Sequence, residues 1–225
     1  MRRVLVITVL ALLLALGTLG TRATTTAAAP SAPLSTITVT TTSDTIDAAS
    51  GVCANVTVAS LPGADGVVSL REAICAANNN AGADTIEFDI RASGAPVCPA
   101  TIAPTSQLPT ITDQVTINGY TQGGATPNSA AIGFNGALCV ELSGVNATSS
   151  IGLFFQAVQT APNVVTKNPS NSIVKGLVIN RFRRAIQIDG DGGGANPVVP
   201  PTGIGIYGNF LGTDTTGLTD VTSST

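Results

Sequence analysis

Histidine and tryptophan are absent from this 225-residue chain, aromatics make up 4% and charged residues 10%. Without histidine there is no Ser-His-Asp triad, no Cys-His pair and no HExxH zinc site. The four cysteines show no CxxC spacing, which removes the common zinc and thioredoxin-like patterns. Charge is well under the usual share of about 25%. The few basic residues form no stripe interleaved with aromatics, so nucleic acid is not a partner that the sequence supports. Glycines are plentiful, yet none forms a phosphate loop or dinucleotide fingerprint behind a strand. What is abundant is Gly, Thr, Ala and Val, the composition of turn-rich β-structure that exposes Thr, Ser and Asn.

The longest apolar run, Val4–Leu19, follows Met1-Arg2-Arg3 and precedes small residues up to Ala29. That layout predicts a secretory signal peptide over 1–29. An uncleaved membrane anchor is the alternative, for which the run is slightly short. Cleavage strips Arg2, Arg3 and Arg22, moves the formal net charge from −3 to about −6, and leaves no membrane span in the mature chain. A secreted or cell-surface protein is expected. Cys53, Cys75, Cys98 and Cys139 all follow the leader, and an even count in an oxidising compartment predicts two disulfides. Three connectivities are open; Cys53–Cys75 with Cys98–Cys139 is preferred because each closes a local loop.

One helix stands out. Ser69 is a good N-cap with Glu72 three residues later, a capping box. Leu70, Ala73, Ile74 and Ala77 fall on one apolar stripe. Asn78–Asn80 and Gly82 supply left-handed stop signals. The spacing predicts a helix over Ser69–Asn79, too short to stand without docking. In the strand pattern that follows, Ile86, Phe88 and Ile90 face one way and Glu87 and Asp89 the other.

Beyond Pro99 the chain reads as short β pieces: Gln114–Gly119, Leu138–Gly144, Ile173–Asn180, Ala185–Ile188 and Gly205–Gly212. Val174-Lys175-Gly176 aligns with Ile206-Tyr207-Gly208, and Val178-Ile179 with Phe210-Leu211, at an offset of 32 residues. This pattern predicts an all-β fold, a right-handed parallel β-helix (solenoid) with a short N-terminal capping α-helix. A β-sandwich is the rival, weakened by the scarcity of hairpin turn signals. The expected organisation is a leader (1–29), a capping region with the helix and first strands (30–100), and β-helix rungs (101–225). The helix would close the exposed end of the apolar column, which a solenoid needs.

The stretch "VSLREAICAANNNAGADTIEFDI" (Val68–Ile90) resembles the CSLREA-type domain of secreted bacterial β-helix proteins. The later stretches "PTSQLPTITDQVTINGYTQGG", "IVKGLVINRFRRAIQI" and "IYGNFLGTDTTG" carry the same likeness. The resemblance implies export and a pectin-lyase-like β-helix, without an assigned activity. One departure is that the Cys opening the eponymous motif is Val68 here. Similar proteins continue with further repeats, so the chain reads as part of a longer one.

Candidate chemistry is sparse. Arg181, Arg183 and Arg184 form the only basic cluster and would hold an acidic sugar. Asp189 and Asp191 follow in "DGDGGG" and would hold a hard cation such as calcium. The Arg-x-Pro-x-x-Arg pattern of pectate lyases is missing. Glu87 and Asp89 share a strand face but read as a solvated surface, and Asn118, Asn180 and Asn209 at strand ends read as backbone caps. No catalytic residue is assigned. The expected function is a secreted or cell-surface non-catalytic scaffold for adhesion or glycan contact, with extracellular polysaccharide as partner. The alternatives are a polysaccharide lyase or glycosidase, resting on fold analogy, and a structural spacer.

Overall fold

The computed structural model describes residues 34–161, 164–190 and 199–221. All of these belong to one compact unit, Ser31–Thr225. The expected signal peptide and Asp191 lie outside the described residues.

Three sheets are purely parallel. The largest contains β1 (Thr36–Val39), β2 (Asp84–Phe88), β6 (Val115–Asn118), β11 (Ile173–Lys175) and β14 (Gly205–Tyr207), hydrogen-bonded in that order. The second runs β5 (Ala100–Ile102), β7 (Val140–Ser143), β12 (Leu177–Asn180), β15 (Phe210–Leu211). The third pairs β8 (Ile151–Gln156) with β13 (Arg184–Asp189). Two antiparallel ribbons complete the set, β3 (Arg91–Ala92) with β4 (Ala95–Pro96), and β9 (Val158–Ala161) with β10 (Val164–Lys167).

The strands do not form the expected right-handed parallel β-helix. The strands divide among five sheets of two to five strands, two of them antiparallel, and the described residues do not show a continuous solenoid. The physical reason is that the segments between the parallel strands are unequal and carry pairing of their own. The two ribbons and the Thr126–Ala137 bridge are antiparallel excursions. The first strands, β1 and β2, belong to the same sheet as β6, β11 and β14.

The 32-residue offset has a direct counterpart. Val174 pairs with Ile206 and Lys175 with Tyr207, while Val178 pairs with Phe210 and Ile179 with Leu211, all in parallel register. Such in-register pairing aligns like side chains into apolar rows. One row runs Ile37, Ile86, Ile117, Val174, Ile206. A second runs Ile102, Leu142, Ile179, Leu211, and a third Ile111, Phe155, Ile188. All members but the last of each row are buried. Where turns crowd these rows, side chains must vanish: a Cβ on Gly119 would lie 2.2 Å from the Gly176 carbonyl oxygen.

The helix α1 spans Leu70–Asn79, with Ser69 and Glu72 forming the capping box. Its buried side is wider than the stripe of Leu70, Ala73, Ile74 and Ala77, because Glu72, Cys75 and Ala76 are buried too. The helix packs on β1 and β2 with one side and against the short 3-10 turns Cys53–Asn55 and Val58–Ser60 with the other. The 48–61 segment therefore lies over part of the helix. The Cys53–Cys75 disulfide ties that overlay to the helix, and Cys98–Cys139 joins the β4–β5 connection to the start of β7. No described helix is long and apolar enough to cross a membrane.

Candidate functional site

The capping-box glutamate does more than cap. Glu72 Oε1 accepts from the backbone N–H of Asp47 (2.9 Å) and Ala48 (3.1 Å). Its Oε2 accepts from Ser69 N (2.9 Å) and Ser69 Oγ (3.1 Å). A buried carboxylate is tolerable when so many donors converge on it. Next to it on the helix, Arg71 makes a bidentate pair with Asp44 (2.8 and 2.9 Å) and reaches the carbonyls of Ser106 and Gln107. Both groups hold distant segments in place.

The C-terminal end of α1 is different. Asn78, Asn79 and Asn80 fan out to three parts of the chain. Asn78 bridges Thr110 O and Thr112 N (2.7 and 2.8 Å). Asn79 donates to the carbonyls of Cys53 and Val56 (2.7 and 2.9 Å). Asn80 donates to Asp84 Oδ1 (2.8 Å) and Ser35 Oγ (3.2 Å). Lys167, delivered by the β9–β10 ribbon, donates to the Asn78 carbonyl, where a cation suits the negative end of the helix dipole. Between these groups lies a cavity of about 180 Å³ lined by Asn78, Asn79, Asn80, Ala81, Asp113, Thr166 and Lys167.

Two carboxyl groups mark this region. Asp84 is buried on the inward side of β2, where Oδ1 accepts from Ser35 N (3.1 Å) and Asn80 Nδ2, while Oδ2 has no partner. Burial pushes its pKa up, against those two hydrogen bonds. Burial also pushes Asp113 up, and the nearby Asp84 charge adds to this, while the Gln114 N–H and Lys167 oppose it. Perturbed carboxyls beside a cleft are a reason to look for function. Their directions match, however, whereas acid–base catalysis by a carboxyl pair requires one raised and one left ionised.

The residues singled out from sequence do not converge. Arg181, in left-handed backbone geometry (φ 58°), turns back to Glu141 (3.4 Å) and Asn180 Oδ1 (3.1 Å). Glu141 is also bound by Thr101 Oγ1 (2.8 Å) and Asn180 Nδ2 (2.8 Å). Arg183 is exposed, and Arg184 reaches along its own strand to Gln187 (3.1 Å). Asp189 sits at the exposed end of β13 and accepts weakly from Gln187 Nε2 (3.4 Å). Among the described residues no three of His, Cys, Asp and Glu gather into a metal-holding group, and Asp191 lies outside that set. Asp89 pairs with Arg91 (2.7 Å) on an exposed surface. Of the asparagines, Asn209 bridges Leu177 N and Val174 O (2.9 and 2.8 Å), and Asn118 accepts from Tyr120 N.

Asp84, Asp113 and Lys167 were absent from the candidates. One signal for Asp84 was in reach, since it shares strand parity with Ile86 and Phe88 and so faces inward. Lys167, 89 residues from Asn78, had no local signal. Set against known proteins, the chain matches no family model, no curated protein and no solved structure.

Proposed function

We propose that the chain is an exported, non-catalytic binding scaffold that contacts extracellular glycan through the pocket at the end of α1. One observation carries the reading. After the internal hydrogen bonds are counted, the pocket retains a second Asp113 oxygen, the Asn79 amide oxygen and spare Lys167 N–H groups without a described partner. Fixed acceptors and donors around a small cavity suit the hydroxyls of one sugar ring or chain end. Its volume lies below the roughly 300 Å³ at which pockets for drug-sized ligands begin. The two disulfides fit an oxidising compartment, and the resemblance of Val68–Ile90 to the CSLREA-type domain supports export in this reading.

The lyase or glycosidase alternative is weakened by the scatter of Arg181, Arg183 and Arg184 and by the parallel direction of the Asp84 and Asp113 shifts. The test incubates the exported protein with immobilised acidic and neutral polysaccharides, with and without calcium, scoring retention and chain cleavage together. Retention that falls about tenfold in Lys167→Ala, without cleavage, is the expected result. Cleavage abolished by Asp113→Asn or Arg183→Ala would make the protein an enzyme. Neither retention nor cleavage would leave a structural spacer.

A further inference from the structure

The pocket at the end of α1 is short of donors. Both N–H groups of the Asn79 amide go to the Cys53 and Val56 carbonyls, and those of Asn80 go to Ser35 and Asp84. The amide oxygens of Asn79 and Asn80 and the second Asp113 oxygen are left with no described donor. Next to Asn80, Asp84 is 1% exposed and its Oδ2 has no partner. Among the described residues Lys167 is the only cation lining the cavity, and it already serves the Asn78 carbonyl. Two carboxyl groups therefore stand against one ammonium, beside the negative end of the helix.

We propose that the ligand of this pocket carries an ammonium group among its hydroxyls, as an amino sugar with a free amine does. This rests on the reading of the pocket as a glycan site and names the class of glycan. An ammonium brings three donors and one positive charge, the two things in which the cavity is poor. It pairs with Asp113 and the amide oxygens, while a sugar hydroxyl accepts from the spare Lys167 N–H groups. Lys167 itself shows that an ammonium is accommodated here, since its own rests on the last turn of α1.

Charge sets the order among sugars. A uronate brings a third carboxylate towards Asp113 and Asp84, and like charges so confined repel. N-acetylation cancels the cation and leaves one donor where there were three. A neutral hexose has donors but no charge to set against the two carboxyls. Burial holds Asp84 and Asp113 above the ordinary carboxyl value, and a cation in the pocket favours their ionised forms. The free amine is the one variant that meets both needs.

The experiment titrates the exported protein with a short glucosamine oligosaccharide and with its fully N-acetylated counterpart, by calorimetry at physiological salt. The free-amine form is expected to bind about tenfold more tightly. Asp113→Asn should remove that preference by weakening the amine form alone, whereas Lys167→Ala should weaken both. Asp189→Asn makes the same change of charge at an exposed strand end and should leave the preference intact. Circular dichroism checks that each variant is folded. Equal or tighter binding of the acetylated form overturns the inference and leaves the glycan reading standing. A preference that survives Asp113→Asn, or falls equally with Asp189→Asn, is diffuse attraction to an acidic protein and overturns it too. Binding of neither oligosaccharide while polysaccharide is retained overturns the inference alone, and loss of all retention removes the reading beneath it.

Discussion

The first and last described strands of the largest parallel sheet differ in what lies over them. At the β1 end, a helix, a disulfide and a buried carboxylate that gathers four donors cover the strands. At the β14 end the last member of the same apolar row, Ile206, is 39% exposed. The rows themselves are alike in chemistry, Ile37 and Ile206 being the first and last members of one of them. The difference lies in what is laid over them. Covering a row end requires polar backbone to be brought in and satisfied, and Glu72 is the group that does so at the β1 end.

The largest expected effect tests that covering. Glu72→Ala strands the N–H groups of Asp47, Ala48 and Ser69 in a buried place, and should cost at least about 4 kcal/mol in denaturant unfolding. A loss under about 1 kcal/mol would mean that the 48–61 segment is held by its disulfide alone. The next effect compares two positions of one row. Ile86→Ala should cost about 3 kcal/mol, as for a filled core site. Ile206→Ala, at a 39% exposed position, should cost under about 1 kcal/mol. Equal losses would erase the contrast between the ends.

The smallest effect is in the pH dependence. Asp113 is raised in the folded state by burial, so its stabilising contribution is complete below the ordinary carboxyl value of 3.8 and is lost as pH rises through the raised folded value. Asp84 acts in the same sense. Asp113→Asn should therefore flatten the fall in stability on the alkaline side of pH 3.8. An unchanged slope in thermal melts from pH 3 to 7 would show that the carboxyl is as well solvated folded as unfolded. Asp214 provides the opposite control, since its hydrogen bonds, the Thr216 hydroxyl first, lower it to about 2. Its contribution is present above the unfolded value and lost as pH falls through about 2.

Local order was legible where neighbours in sequence are neighbours in space. The Ser69–Glu72 capping box, the alternation through Ile86 and Phe88, and the 32-residue offset between Val174 and Ile206 all have counterparts in the structure. Each rests on the fixed repeat of a helix or strand. The reach of Glu72 to Asp47 and Ala48, across 25 and 24 residues, was not legible, because a capping box is complete without it. Division of the strands among five sheets was not legible either. It depends on excursions such as β9–β10, whose polar pattern carries no register.

Composition and short-range pattern alone determined that the chain is β-rich, that a capped helix lies over Ser69–Asn79, and that histidine chemistry is excluded. These follow from propensity, periodicity and simple absence. Tertiary structure decided where the chemistry gathers: the arginines of 181–184 disperse, while Asp84, Asp113 and Lys167 come together at the end of α1. The physical reason is that convergence depends on the lengths and pairing of the intervening loops, and no local repeat encodes those.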